Sequence, residues 1–144
     1  ARVFRRLRKH SFRHLVVDVR GNTGGHVANC NRLLRYVLDS TFVYMHQNQA
    51  LTLRPSFGRR YGLKFYRLMS RAFAVRKKDG YLSFRRGDRT WQPVRRNRFE
   101  GKVFVLTNGG SVSAGANFPA IAKSVQPDKI TVVGRETGGG RSGC

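Results

Sequence analysis

The feature that most constrains this chain is Thr107-Asn-Gly-Gly-Ser-Val-Ser-Ala-Gly-Ala116. An apolar run at 102–106 leads into it, and a segment with helical spacing at 118–125 leads out. That pattern reads as strand, tight glycine turn, helix. A serine on such a turn is lifted to the carboxyl end of a strand. It also stands at a helix N-terminus, where free N–H groups and the helix dipole favour negative charge. A nucleophilic serine needs that setting, because its attack on a carbonyl creates an oxyanion. The same residues also suit a plainer role: Ser, Thr and Asn are ordinary helix caps, and Asn-Gly-Gly is an ordinary turn. The stretch by itself leaves both readings open.

Two further glycine clusters accompany it: His14-Leu-Val-Val-Asp-Val-Arg-Gly-Asn-Thr-Gly-Gly25 and Val132-Val-Gly-Arg-Glu-Thr-Gly-Gly-Gly140. In this order the three motifs resemble the S41 family of serine peptidases, the C-terminal processing or tail-specific proteases and their tricorn-like relatives. The resemblance brackets residues 14–140, although the middle matches no motif. It implies an α/β fold with a ClpP/crotonase-like core of βαβ units, carrying a basic helix-plus-hairpin insertion. As a set the motifs are specific, whereas one glycine cluster alone is weak.

The resemblance also implies roles. The family nucleophile precedes Ala-Ser-Glu or Ala-Gly-Glu; here Ser113-Ala114-Gly115 holds that place, with Ala116 where Glu is common. Ser113 is then the nucleophile and forms an acyl-enzyme that water hydrolyses. Ser111 is the lesser candidate and reads as a turn residue. The Ala114 N–H is one oxyanion donor, and Gly25 or Gly24 supplies the second. Gly110, Gly138 and Gly139 border the substrate. Asp18, Arg20 and Asn22 support the first loop; Asp18 in an apolar strand needs a partner if buried, and Arg20 is available. Glu136 reads as support for the third glycine loop. The general base is the departure. Processing proteases use a lysine that falls here on Gly140, and the adjacent Arg141 stays protonated. Tricorn-like relatives use a His and a Glu from segments outside this stretch, which would put the base upstream of Ala1. Of His10, His14, His26 and His46, only His26 lies beside the proposed oxyanion loop. No metal or cofactor is expected.

Along the chain, residues 1–9 read as a basic amphipathic helix and 14–19 as a buried parallel strand. A glycine loop at 20–25 follows, then a helix over 26–39 and a strand over 41–46, which together make a βαβ unit. Residues 47–99 form an excursion, with a helix-like stretch at 61–74 and a hairpin over 81–91 closed near Gly87. Regular structure returns with the strand at 102–106, the helix to Val125 and a strand at 130–133. The 144 residues suffice for one domain spanning 1–144, with 47–99 inserted in it. The start without Met and the end after a glycine loop suggest a chain cut at both ends.

Composition adds constraints. With 29 Lys and Arg against 7 Asp and Glu the net charge is +22, which points to acidic partners. The arginines are scattered, and no zinc-finger or RNA-recognition signature accompanies them, so no specific nucleic acid is expected. Aromatics among the arginines of the excursion (Tyr61, Phe65, Tyr81, Phe84, Trp91) suit either packing or a peptide groove. The two cysteines, Cys30 and Cys144, form neither a zinc motif nor a disulfide framework. No apolar run is long enough to span a bilayer. The expected partner is an unstructured polypeptide substrate; the family's usual home is the cell envelope, the periplasm or outside the cell. A non-catalytic binding module on the same fold, or a basic nucleic-acid binder, remain the alternatives.

Overall fold

The computed structural model describes residues 2–44 and 90–139, together with the strand backbones at 49–50, 74–76 and 82–84. The chain forms two compact units, one of Ala1–Phe42 and Trp91–Cys144, the other of Val43–Thr90. The excursion expected at 47–99 overlaps the second unit.

The first unit mixes helices with a parallel sheet. Helix α1 (Arg2–Lys9) precedes strand β1 (His14–Asp18), and α2 (Val27–Val37) follows it. Later come β7 (Lys102–Thr107), α3 (Ala114–Val125) and β8 (Ile130–Gly134). The sheet order is β1-β7-β8, with both neighbours parallel to β7. Val103, Val105 and Ile130 are fully buried on one face, on the side of α2 and α3, which touch each other. The helices contribute Leu34, Val37, Phe118 and Ala122 to that core. Apolar side chains recur at i, i+3 and i+4 on α2, so one stripe can face the sheet. Helix α3 begins at Ala114, earlier than the spacing at 118–125 suggests, because the small residues Ala114, Gly115 and Ala116 also pack inward.

Three expectations need correction. Strand β1 is not fully buried: it pairs only with β7 among the described residues, and Val16 on its outer face is 59% exposed. Its apolar run is therefore only half covered. The βαβ unit does not close with the next strand either. Strand β2 (Phe42–Val43) pairs with β6 (Thr90–Trp91), and the parallel neighbour of β1 is β7, much later in the chain. In the second unit β5 (Leu82–Phe84) pairs antiparallel with β4 (Ala74–Arg76) and β3 (Gln49–Ala50). The ladder of 82–84 therefore runs back to 74–76 and not across Gly87 to Trp91. The helix-like stretch at 61–73 lies outside the described residues, as do Tyr61, Phe65 and Tyr81.

A polar cluster ties the ends of α2 and α3 together. The Lys129 Nζ, on a side chain only 10% exposed, donates to both Asp39 carboxylate oxygens (2.9 and 3.1 Å) and to the Phe99 carbonyl (2.6 Å). Gln126 donates to Asp39 as well, and the Asp39 N–H donates back to Gln126 Oε1. Arg98 Nε stands 2.8 Å from Asp39 as an ion pair. Burial alone would raise the Asp39 pKa, but the hydrogen bonds from Lys129 and Gln126, with the charges of Lys129 and Arg98, hold it below the ordinary value. A carboxyl depressed in this way stabilises the fold fully above its unfolded pKa of about 3.9, and the contribution is lost as pH falls through the folded value. Asp39→Ala is expected to cost about 1–3 kcal/mol in urea unfolding at neutral pH, since it strands a buried ammonium. The gap between variant and parent should close as pH drops below about 4. A gap independent of pH would contradict this role.

Candidate active site

Parallel pairing brings the three glycine clusters to one end. Asp18 of β1 lies beside Leu106 of β7, and Thr107 beside Gly134 of β8, so the loops after all three strands leave from the same carboxyl edge. In parallel α/β sheets that edge is where sites form.

The loops are laced together. Asn108 Oδ1 accepts from Gly21 N (2.9 Å) in the first loop and from Gly110 N (3.0 Å) in its own turn. Val112 N donates to the Asn22 carbonyl at 2.9 Å. Ser111 is fully buried; its Oγ donates to the Val19 carbonyl at 2.8 Å and accepts from Asn108 N at 3.2 Å. The third loop is fastened by Thr107, which exchanges bonds with Arg135 through Oγ1 and the backbone carbonyl. Ser111 is thus committed to holding two loops together. Asn108 was missed in the sequence, where Asn-Gly-Gly reads only as a turn and nothing reveals the reach of its side chain across to β1.

Ser113 differs from Ser111 in every respect. It is exposed and occupies the N-cap position of α3, yet its hydroxyl makes no capping bond. Its backbone has φ 53° and ψ −124°, a conformation that costs a non-glycine residue about 1–3 kcal/mol. A cap would adopt an ordinary extended backbone and bond the first turn. This turn instead presents a strained serine at the head of a helix, the geometry of a nucleophile elbow.

The Gly-Gly pair stands against it. A Cβ on Gly24 would fall 2.7 Å from Ser113 Cβ and 3.2 Å from Ala114 N, and Gly24 has φ +108°. Only glycine fits there. The Gly24 N–H is taken by Asn22 Oδ1 at 2.9 Å. The N–H groups of Gly25 and Ala114 have no acceptor among the described residues. Asn22 supports the loop through both its side chain and its carbonyl.

Asp18 and Arg20 form a bidentate pair at the start of the loop, with Nη2–Oδ2 at 2.8 Å and Nε–Oδ1 at 3.0 Å. The pair is about half exposed, so its task is to shape the turn at the surface and not to neutralise a buried charge. The Arg20 side-chain hydrogen bonds, aided by its backbone N–H, hold the Asp18 carboxyl down to about 2. Gly110 packs on Gly21, Gly138 on the Gly109 carbonyl, and Gly139 on Ala116, where a Cβ would lie 2.6 Å from the alanine methyl. These glycines let the three loops approach closely.

A cleft of about 270 Å³ opens beside Ala114 and Gly24. His26 and Asn29 stand with Gly25 along it, and Val19, Leu33 and Phe118 supply apolar wall. His26 is the described histidine at this end; His14, whose ring meets Phe104, begins β1 at the other end of the strand. His10 lies against Phe12 before β1. Glu136 is exposed in the third loop. Gly140, Arg141 and His46 lie outside the described residues.

A family model, Peptidase family S41, matches residues 1–143. The chain belongs to peptidase family S41. Two solved structures share the fold. One is a candidate peptidase from Parabacteroides merdae ATCC 43184, 23% identical with a TM-score of 0.58, covering 91% of this chain and 33% of that one. The other is mature CPAF complexed with lactacystin, 19% identical with a TM-score of 0.64, covering 95% of this chain and 32% of that one. The S41 chain thus spans about a third of the length of these structures. Among curated proteins none matches.

The two serines are separable by stability. Ser111→Ala is expected to destabilise by about 1–3 kcal/mol, since it removes a buried hydroxyl's bond to the Val19 carbonyl and takes the acceptor from the Asn108 N–H. Ser113→Gly is expected to stabilise by about 1 kcal/mol, because it relieves the backbone strain and loses no hydrogen bond. Thermal unfolding of both checks this, and a stabilised Ser111→Ala with a destabilised Ser113→Gly would reverse the assignment. Arg20→Ala should return the Asp18 pKa from about 2 towards the usual aspartate range in a carboxyl NMR titration.

Proposed function

We propose that this chain is the nucleophile-bearing core of a serine endopeptidase acting on unstructured polypeptide segments. The observation that carries the reading is Ser113 itself: a free hydroxyl on a strained turn, at the head of α3, against a glycine loop with an unengaged N–H. The S41 membership supports peptide-bond hydrolysis as the chemistry. In this reading Ser113 Oγ attacks the scissile carbonyl. The Ala114 and Gly25 N–H groups receive the developing oxyanion, and the α3 dipole adds to them. Collapse expels the amine and leaves an acyl-enzyme, which water hydrolyses. The Oγ proton must pass to a general base. Of the described histidines, His26 lines the cleft beside Ala114; the family resemblance places the base in segments outside this stretch.

The core is read as ClpP/crotonase-like, the substrate as an extended peptide or a C-terminal tail, and the location as the cell envelope or outside the cell. These readings rest on the family resemblance. Among the described residues no helix is long and apolar enough to cross a membrane. A binding module on the same fold is the second reading. It is favoured by one observation: no side chain among the described residues hydrogen-bonds Ser113 Oγ.

The test uses the whole protein, an unfolded substrate such as casein, and a Ser113→Ala variant of equal thermal stability. Cleavage that drops by at least about a hundredfold in the variant supports the peptidase. Cleavage retained in the variant contradicts it, and no cleavage by either protein favours the binding module.

A further inference from the structure

We propose that α1 and the turn after it form a docking surface for an anionic lipid bilayer, separate from the candidate active site. Arg2, Arg5, Arg6 and Lys9 recur at i, i+3, i+4 and i+7, so they share one helix face, and all four are exposed. Arg8 is exposed beside them, and no acidic residue lies in the first turn. Like charges at these spacings oppose helix formation. The helix is held instead by its other side, where the Phe4 ring stacks on Tyr36 at 4.5 Å. None of the described ion pairs reaches α1; Asp18 and Asp39 are already engaged by Arg20, Arg98 and Lys129.

Two exposed apolar side chains choose the partner. Val3 is 64% and Phe12 54% exposed. By helical rotation Val3 borders the basic stripe, and Phe12 follows the helix by one turn of chain, beside the exposed His10 ring. A phosphate backbone of nucleic acid offers nothing to a bare valine. A bilayer surface offers both anionic headgroups for the arginines and an acyl boundary for Val3 and Phe12. The placement is compatible with catalysis. Tyr36 lies in the last turn of α2, whose first turn borders the cleft, so α1 sits towards the remote end of that helix.

The experiment is co-sedimentation of the whole protein with phosphatidylcholine vesicles, with and without a minority of phosphatidylglycerol. The variants are Arg2→Glu with Arg5→Glu and Arg6→Glu, a charge-matched control of Arg32→Glu with Arg95→Glu and Arg96→Glu, and Val3→Ser with Phe12→Ser. Circular dichroism confirms that each keeps its helix content. Expected are binding only to the anionic vesicles, a loss of at least about tenfold for the α1 reversal, a smaller loss for the control, and a loss for the serine pair. Equal losses for the α1 and control reversals would overturn the proposal, because general basicity would then account for binding. So would vesicle binding unaffected by the serine pair. Tighter binding to a double-stranded oligonucleotide, lost with the α1 reversal and kept by the serine pair, would replace the lipid surface with a nucleic acid.

Discussion

Everything at the candidate site depends on β7 lying between two parallel neighbours. Because β1, β7 and β8 run the same way, three loops far apart in sequence start from one edge of the sheet. Reversal of any one strand would send its loop to the opposite end. The fully buried Val103, Val105 and Ile130 fix the register, since a slip by one residue would turn them to the uncovered face. Apolar burial on one side of the sheet therefore determines where the glycine loops meet.

On that base a few polar contacts set the details. Asn108 and Ser111 reach from the second loop to the first, the Asn22 carbonyl holds the first against the second, and the Asn22 side chain fixes Gly24 within the first loop. These bonds, with the burial of the α3 N-terminus, over-determine the turn. That is the condition under which a strained residue such as Ser113 persists. The polar cluster on Asp39 plays a comparable part at the far end, fixing α2 and α3 to the segment before β7.

The glycine motifs and the strand–turn–helix pattern around Ser113 were legible in the sequence, because turn chemistry is local. So was the Asp18–Arg20 pair, two residues apart on one strand end. What was not legible depends on contacts distant in sequence. The run at 14–19 reads as a buried strand, yet the outer face of β1 is uncovered, and no local signal tells whether a neighbouring layer will cover it. The pairing of 82–84 with 74–76 was hidden by the turn residues near Gly87. The sequence also offers Gly24 and Gly25 as equals. The structure separates them, because the Asn22 side chain occupies the N–H of one.

The most direct measurement of the central claim is peptide mapping by mass spectrometry after treatment with a fluorophosphonate, which phosphonylates only a serine activated towards attack. The account requires one adduct on the peptide spanning the second loop, located by fragmentation to Ser113, and none on Ser111. An adduct on Ser111, or none on a folded protein that cleaves casein, would show that the strained serine at the head of α3 is not the nucleophile.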